Sequence, residues 1–322
     1  MNGRRGRLAG EDLAAVLRQV YGINRTLRDV ARLTGGTKKG AYRLTLDDGT
    51  SCVLHHWDDV ENWWPATDED TDGPFAAATG LDLFVAAHAE LAAAGVRVPE
   101  ILLLDPDGDL AVVEDVRGGS LEALHARDPG RAAPVLARLA GLVRALHGRR
   151  SDRYGRPADP APAGAPPPPT VVHDRALRHL AEGARRVPAI AAARDRIAAL
   201  LDTARAAVAP RTGYALIHGE LGPDHVLVDA HDEPVLIDLE GVMFFDIEWE
   251  HAFLELRFGD SYQHLAVDGL DEARLRLYRL ALDLSLVEGP LRLLDGDFPD
   301  RAFMRSIADH ATDRILARLT PS

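Results

Sequence analysis

Between residues 215 and 250 the chain places Glu220, Asp224, His225 and Asp238 beside the ends of short apolar runs. Leu216-Ile217 leads into His218-Gly219-Glu220, Val226-Leu227-Val228 ends at Asp229, and Val235-Leu236-Ile237 delivers Asp238 after a polar turn. Apolar runs this short, bounded by turn residues, suit strands better than helices. Strands that stop together can bring these four side chains into one small volume. A pocket rich in carboxylates suits divalent-metal and phosphoryl chemistry, in which one carboxylate orients a hydroxyl and oxygen ligands hold magnesium. Each residue also has a plainer use. Glu220 can tie its loop together, Asp238 can be a turn aspartate closing an apolar strand, His225 can hydrogen-bond within its loop, and His218 suits bracing by hydrogen bonds better than chemistry.

These residues resemble the central motif of the aminoglycoside phosphotransferase-like small-molecule kinases, which share the protein-kinase fold. The family pattern is His-Gly-Asp, four residues and an Asn, then a strand ending Ile-Asp-x-Glu. Here the frame reads His218-Gly219-Glu220, then His225, then Ile237-Asp238-Leu239-Glu240. Glu220 stands where the family has its catalytic aspartate, and His225 where it has a metal-binding asparagine. The resemblance implies an α+β, bilobal fold, with a small antiparallel-sheet lobe over residues 1–115 that binds ATP or GTP. A larger, mainly helical lobe over residues 116–322 carries catalysis and acceptor binding. It also implies Glu220 as the catalytic carboxylate and Asp238 as the principal ligand of magnesium or manganese. His225 is the second metal position, although imidazole suits softer metals than magnesium and Asp224 can supply an oxygen instead.

The elements that must position these residues follow in order. Residues 10–21 repeat Leu13, Val16, Leu17 and Val20 at helical spacing. Three strands come next, over residues 30–33, 41–46 and 51–57, with Asp48-Gly49 as a hairpin turn. Gly35-Gly36-Thr37-Lys38-Lys39-Gly40 joins the first two strands. It is an ordinary hairpin loop by composition, and by resemblance it covers nucleotide phosphates, with Gly36, Lys38 and Lys39 as contacts. The third strand of such folds carries a Lys or Arg facing those phosphates. In register that position is His55, a titrating group rather than a permanent cation, so Lys38, Lys39 or Arg43 is the candidate replacement. Residues 58–80 read as an inserted loop whose Trp63 and Trp64 either close a ligand pocket or cover the lobe's apolar edge. A helix over 81–94 follows, with Asp82 the one acid near its expected pairing position. After strands at 101–104 and 110–113, residues 114–119 resemble the interlobe hinge, which implicates Glu114 and Val116 in nucleotide binding through backbone.

Beyond it the pattern is helical at 132–147, 173–185, 187–208, 272–286 and 301–319. Residues 155–170 are proline-rich and are expected to be a loop or a passive, mobile spacer, because proline lacks the amide hydrogen and fixes φ. Asp246, Glu248 and Glu250 follow the metal motif. By resemblance they border an acceptor pocket and hold ammonium groups; otherwise they are acids favoured at a solvated helix start.

The composition sets outer limits. A chain of 322 residues, 46% hydrophobic and 27% charged, has room for two lobes. Its net charge of −13 argues against nucleic acid as a main partner and is compatible with a cationic acceptor. The single cysteine, Cys52, rules out an intramolecular disulfide and fits a reducing cytoplasm. No apolar stretch reaches the roughly 18 residues of a membrane span, and the basic start of the chain has no signal-like apolar core. The expected activity is transfer of phosphate from ATP or GTP to a hydroxyl of an antibiotic or other secondary metabolite, as in resistance kinases. The alternatives are a catalytically impaired nucleotide- or ligand-binding relative and a metabolic kinase of a sugar or amino alcohol.

Overall fold

The computed structural model describes residues 10–34, 36–64, 73–76 and 79–319. Helix α1 (Gly10–Tyr21) buries Leu13, Val16 and Leu17, the helical repeat visible in the sequence, against a five-stranded antiparallel sheet. The strands are β1 (Leu27–Arg32), β2 (Gly40–Leu46), β3 (Ser51–His56), β4 (Ile101–Asp105) and β5 (Leu110–Glu114), in the order β1-β2-β3-β5-β4. Alternation along β2 turns Tyr42, Leu44 and Leu46 toward α1. A leucine withdrawn as fully as Leu44 stabilises the fold by about 1.5–3 kcal/mol. The opposite face carries Val53, Ala111 and Val113 and packs on Phe84, Ala87 and Leu91 of α2 (Leu81–Ala93). With a helix on each face, β5 is apolar at consecutive positions rather than alternating.

The chain then crosses to a helical region: α3 (Leu121–Arg127), α4 (Pro129–Gly148), α5 (Pro168–Arg186), α6 (Pro188–Ala206), α7 (Ile247–Phe258), α8 (Glu272–Leu293) and α9 (Arg301–Ala317). Ser120 and Asp128 cap α3 and α4 by accepting from Ala123 N and Arg131 N, at 3.1 and 3.0 Å. Between helices lie β6 (Arg150–Ser151), β7 (Tyr214–Ile217) and β10 (Met243–Phe245), in the sheet order β10-β7-β6. The hairpin of β8 (Val226–Val228) and β9 (Pro234–Leu236) stands beside them. One apolar core runs from Val53, Trp57 and Phe84 through Leu139 and Val143 to Ile217, Tyr278 and Ile315, so the two parts share their packing.

Two expectations change. Pro168, Pro169 and Thr170 form the first turn of α5 instead of ending the spacer, because a helix's first amides need no intrahelical partner and proline's φ already suits that turn. The rest of the proline-rich stretch is packed down and not a loose spacer: Tyr154 donates to Pro166 O at 2.7 Å, and Ala161 and Ala165 lie against the core. The described part of the 58–80 insertion spans between the lobes. Trp63 packs edge-on to Phe298 at 5.7 Å, Trp64 lies beside Gly289 of α8, and Phe75 packs at a tilt on Trp249 at 4.8 Å. The tryptophans therefore cover the C-terminal helices rather than the edge of their own lobe. Residues 65–72, Gly35 and the basic segment 1–7 lie outside the described residues.

Candidate active site

β7 runs straight into His218-Gly219-Glu220. Gly219 has φ +93°, and a Cβ there would sit 2.5 Å from Gly241 O, so the two loops approach more closely than a side chain permits. Helix α7 holds the peptides on both sides of Gly219: Gly219 N–H donates to Glu250 Oε2 at 2.8 Å, and Trp249 Nε1–H donates to Gly219 O at 3.1 Å. His218 is fully buried and donates from Nε2 to Ile237 O at 2.9 Å, joining this loop to the end of β9. Burial pushes its pKa down to about 4, so it braces as a neutral ring.

At Asp238 the backbone enters the left-handed region, φ 63° and ψ 57°, which aspartate tolerates better than most residues. The bend opens a short 3₁₀ turn over Leu239–Gly241 that presents Asp238 and Glu240 together. Lys39 reaches both: Nζ lies 2.8 Å from Asp238 Oδ1 and 2.5 Å from Glu240 Oε1, while Trp57 Nε1–H also donates to that Glu240 oxygen at 3.0 Å. The other Glu240 oxygen is buried without a partner. Burial alone would depress the Lys39 pKa, but the two carboxylates hold it above its ordinary value. Lys39 in turn holds Asp238 well below the usual carboxylate range.

Glu220 stands next to this group, with Oε1 over Gly241, and no described residue donates a hydrogen bond to its carboxylate. Burial first, then the negative charge of Asp238, raises its pKa, while Lys38 works in the opposite direction. His225 donates from Nδ1 to Glu220 O at 3.0 Å, which turns Nε2 toward Asp224 Oδ2 and Asp238 Oδ2, each 3.7 Å away. Asp224 is itself held by Arg257 at 2.6 Å. Glu220, His225 and Asp238 thus converge as the sequence suggested, and Lys39 and Lys38 face them from the loop between β1 and β2.

Two candidate cations, His55 and Arg43, are engaged elsewhere. His55 does not supply the strand cation: burial and the nearby Lys39 charge push its pKa down to about 3, and its ring packs edge-on against Trp57 and Phe84. Arg43 is no substitute, because Asp115 binds it through Nε and Nη2 at 2.8 and 3.0 Å. Glu114 spends its side chain on Arg97, at 2.7 Å to each oxygen, and Val116 is buried, so only backbone remains for a ligand at either position. Gly36 lies in a tight turn where a Cβ would come within 3.1 Å of Lys39 O.

The acids after the motif do not border a pocket. Asp246, Glu248 and Glu250 are at most 1% exposed. Asp246 accepts from Arg274 at 2.6 Å and from Tyr278 at 2.5 Å, and Glu248 takes Arg211 on both oxygens, at 2.6 and 2.7 Å. Neither a solvated helix start nor a grip on ammonium groups describes them. The guanidinium partners of Asp246 and Glu248 are the distant Arg211 and Arg274, so local spacing carried no sign of the pairing. Glu240 was within reach of sequence reasoning, as the second acid of the Asp-x-Glu pair. Trp57 gave no such signal.

A family model described as the phosphotransferase enzyme family matches residues 29–283. No curated protein sequence matches the chain. Among solved structures, spectinomycin phosphotransferase APH(9)-Ia in complex with ADP and spectinomycin superposes with a TM-score of 0.63 at 13% identity, covering 98% of this chain and 100% of that one. Choline kinase LicA from Streptococcus pneumoniae gives 0.62 at 13%, over 96% and 98% of the two chains. A thermostable mutant of aminoglycoside phosphotransferase APH(4)-Ia, in ternary complex with ADP and hygromycin B, gives 0.61 at 19%, over 94% and 98%. At such identities these likenesses speak for the kinase-like bilobal fold alone. The family match spans most of the sequence, including both loops of the site, and on that ground the chain belongs to the phosphotransferase enzyme family.

Proposed function

We propose that the protein transfers the terminal phosphoryl group of ATP or GTP to a hydroxyl of a small molecule, in the cytoplasm. The acceptor class we favour is a hydroxylated antibiotic or other secondary metabolite. The observation that carries the reading is Lys39 bridging Asp238 and Glu240 beside the unbonded Glu220 carboxylate. It supplies a permanent cation where His55 offers none, so the loss of the strand lysine does not itself favour a binding-only relative.

In this reading Lys38, Lys39 and the backbone of the loop after β1 bind the nucleotide phosphates. Glu220 accepts a hydrogen bond from the acceptor hydroxyl and aligns its oxygen on the phosphorus. The oxygen–phosphorus bond forms as the bond to the leaving diphosphate breaks, and the hydroxyl proton passes to Glu220 or onward to water. Since phosphoryl transfer depends mainly on position and charge, a glutamate one methylene longer than aspartate can serve. Among the described residues no three side chains form a ready-made metal cage. That suits magnesium, which usually takes one or two carboxylates and completes its shell with water and phosphate oxygens. Asp238, with its side chain 41% exposed, and the orphaned Glu240 oxygen fit that donor set. A metal held there neutralises charge on the nucleotide. The His225 tautomer, fixed by Glu220 O, leaves Nε2 aimed at Asp238, the orientation a second ligand requires.

The test is a turnover screen with ATP and GTP, in magnesium and in manganese, against hydroxylated antibiotics, sugars and amino alcohols, with mass detection of a phosphate adduct. An adduct that disappears in Asp238→Asn supports the assignment. Nucleotide binding without any adduct, under either metal, rejects it in favour of a binding protein.

A further inference from the structure

Among the described residues Arg156 is a buried cation without a counter-ion. It is 7% exposed, its guanidinium donates to the Ala76 carbonyl through Nη2, and no carboxylate among the described residues lies within ion-pair distance. Arg274, buried to a similar degree, has Asp246 at 2.6 Å and Ala209 O at 2.6 Å. A guanidinium has five donors, and no nitrogen of Arg156 is a buried atom without a partner, so the donors that Ala76 leaves free keep access to solvent and to an anion.

Its position is built and not accidental. Gly155 has φ +114°, and a Cβ there would meet Ala161 N at 2.8 Å, so the turn that carries Arg156 requires glycine. Gly155 and Phe244 exchange both backbone hydrogen bonds at 2.9 Å, and Ala161 N donates to Tyr154 O at 2.8 Å. The turn is thereby fixed to β10, whose neighbour β7 leads into Glu220. Burial pulls its pKa below the ordinary arginine value, against the charge of Asp159 and, more weakly, of Glu220. Lys38 and Lys39 approach Glu220 from the N-terminal sheet. Arg156 comes from the C-terminal lobe, on the turn hydrogen-bonded to β10.

Resting on the reading of the protein as a phosphotransferase, we propose that Arg156 binds an anionic group of the acceptor, a carboxylate or phosphate ester near the hydroxyl that is phosphorylated. The substrate class is then a hydroxylated organic anion. A planar guanidinium fork matches such a group on two donors and would fix the hydroxyl over Glu220. The withdrawal of Asp246, Glu248 and Glu250 into the core agrees, since it leaves those carboxylates no ammonium group to hold.

The test uses the full chain and matched probes: gluconate, glucuronate and 3-phosphoglycerate against glucose, glucosamine and choline. Phosphate adducts are measured with ATP, and thermal shifts are measured separately with a non-hydrolysable analogue. Anionic probes are expected to be phosphorylated and to raise the melting temperature. Arg156→Met should raise KM for them roughly 10- to 100-fold, the worth of a charge-assisted hydrogen bond, with Arg156→Lys in between and nucleotide affinity unchanged. Without ligand, Arg156→Met should melt no lower than the wild type, because it removes an unpaired buried charge. A large drop in unliganded melting temperature marks Arg156 as structural and overturns the proposal. So does preferential phosphorylation of glucosamine or choline, which leaves the phosphotransferase reading standing. If no probe is phosphorylated but anions stabilise the wild type and not Arg156→Met, the anion site stands and the transfer reading falls. Absence of both effects overturns the anion site.

Discussion

Two groups of acids lie close together in the chain and behave oppositely in the fold. Asp246 and Glu248 are sealed in the core with Arg211, Arg274 and Tyr278, and every carboxylate there meets a guanidinium within 2.7 Å. Asp238 and Glu240 share Lys39 while Glu220 has no bonded partner, one Glu240 oxygen is orphaned, and the Asp238 side chain is 41% exposed. Charge is balanced in the first group and in excess in the second. A balanced buried network holds elements together, here α7 and α8 with the end of α6. In the reading proposed above a cation and the nucleotide phosphates complete the unbalanced one; without them the surrounding structure has to bear its repulsion.

The sharpest way to break this contrast is one substitution in each group. Asp238→Asn should lower transfer on the order of 10³-fold or more, the scale of removing a key charge from a preorganised site. Its melting temperature should stay near the wild type, because asparagine also tolerates the left-handed backbone and the site is part solvated. Asp246→Ala should do the reverse. It strands Arg274, which is 2% exposed, and should cost about 3–5 kcal/mol in a denaturant titration. Should Asp246→Ala fold normally and lose turnover, or Asp238→Asn unfold, the two groups have been assigned the wrong way round.

Much of this division could be anticipated, and the part that could not has a physical reason. The strands ending at Ile217 and Ile237, the turn at Asp48-Gly49 and the stripe Leu13, Val16, Leu17 are local patterns whose period or punctuation determines the element. Their site residues followed because strand ends carry them. Asp246 and Glu248 were misplaced because their roles depend on Arg274 and Arg211, partners more than 25 positions away that no local pattern announces. Lys39 was one of three candidate cations, and only the fold shows its ammonium on Asp238 and Glu240 while Asp115 holds Arg43. Arg156 gave no signal at all: in sequence it is one more arginine beside a proline-rich stretch.

A gentler change asks how the open group works. Glu220→Gln keeps the shape and removes the charge, and should lower turnover about 10²-fold with little change in nucleotide affinity. Normal turnover would make Glu220 a member of the structural class, tying Gly241 to its loop.

The smallest effect concerns the one acid that belongs to both groups. Glu250 is sealed like Asp246, yet it holds the peptide just before Glu220, and its Oε1 is buried without a partner. Burial pushes its pKa from 4.5 up to about 7. An acid raised in the folded state binds its proton more tightly there than in the unfolded chain. Between about pH 4.5 and 7 the unfolded chain loses that proton while the native state keeps it, so this group's contribution makes stability fall as pH rises through that window and level off above it. Glu250→Gln retains an oxygen for Gly219 N–H and has no proton to lose. It should be as stable as the wild type below pH 4.5, more stable above 7, and flatter in between, with turnover near normal at neutral pH. Denaturant midpoints measured across pH 4 to 8 for both proteins decide the matter. A variant whose midpoint follows the wild-type slope throughout would show that Glu250 stays ionised on the Gly219 amide and is balanced as completely as Asp246.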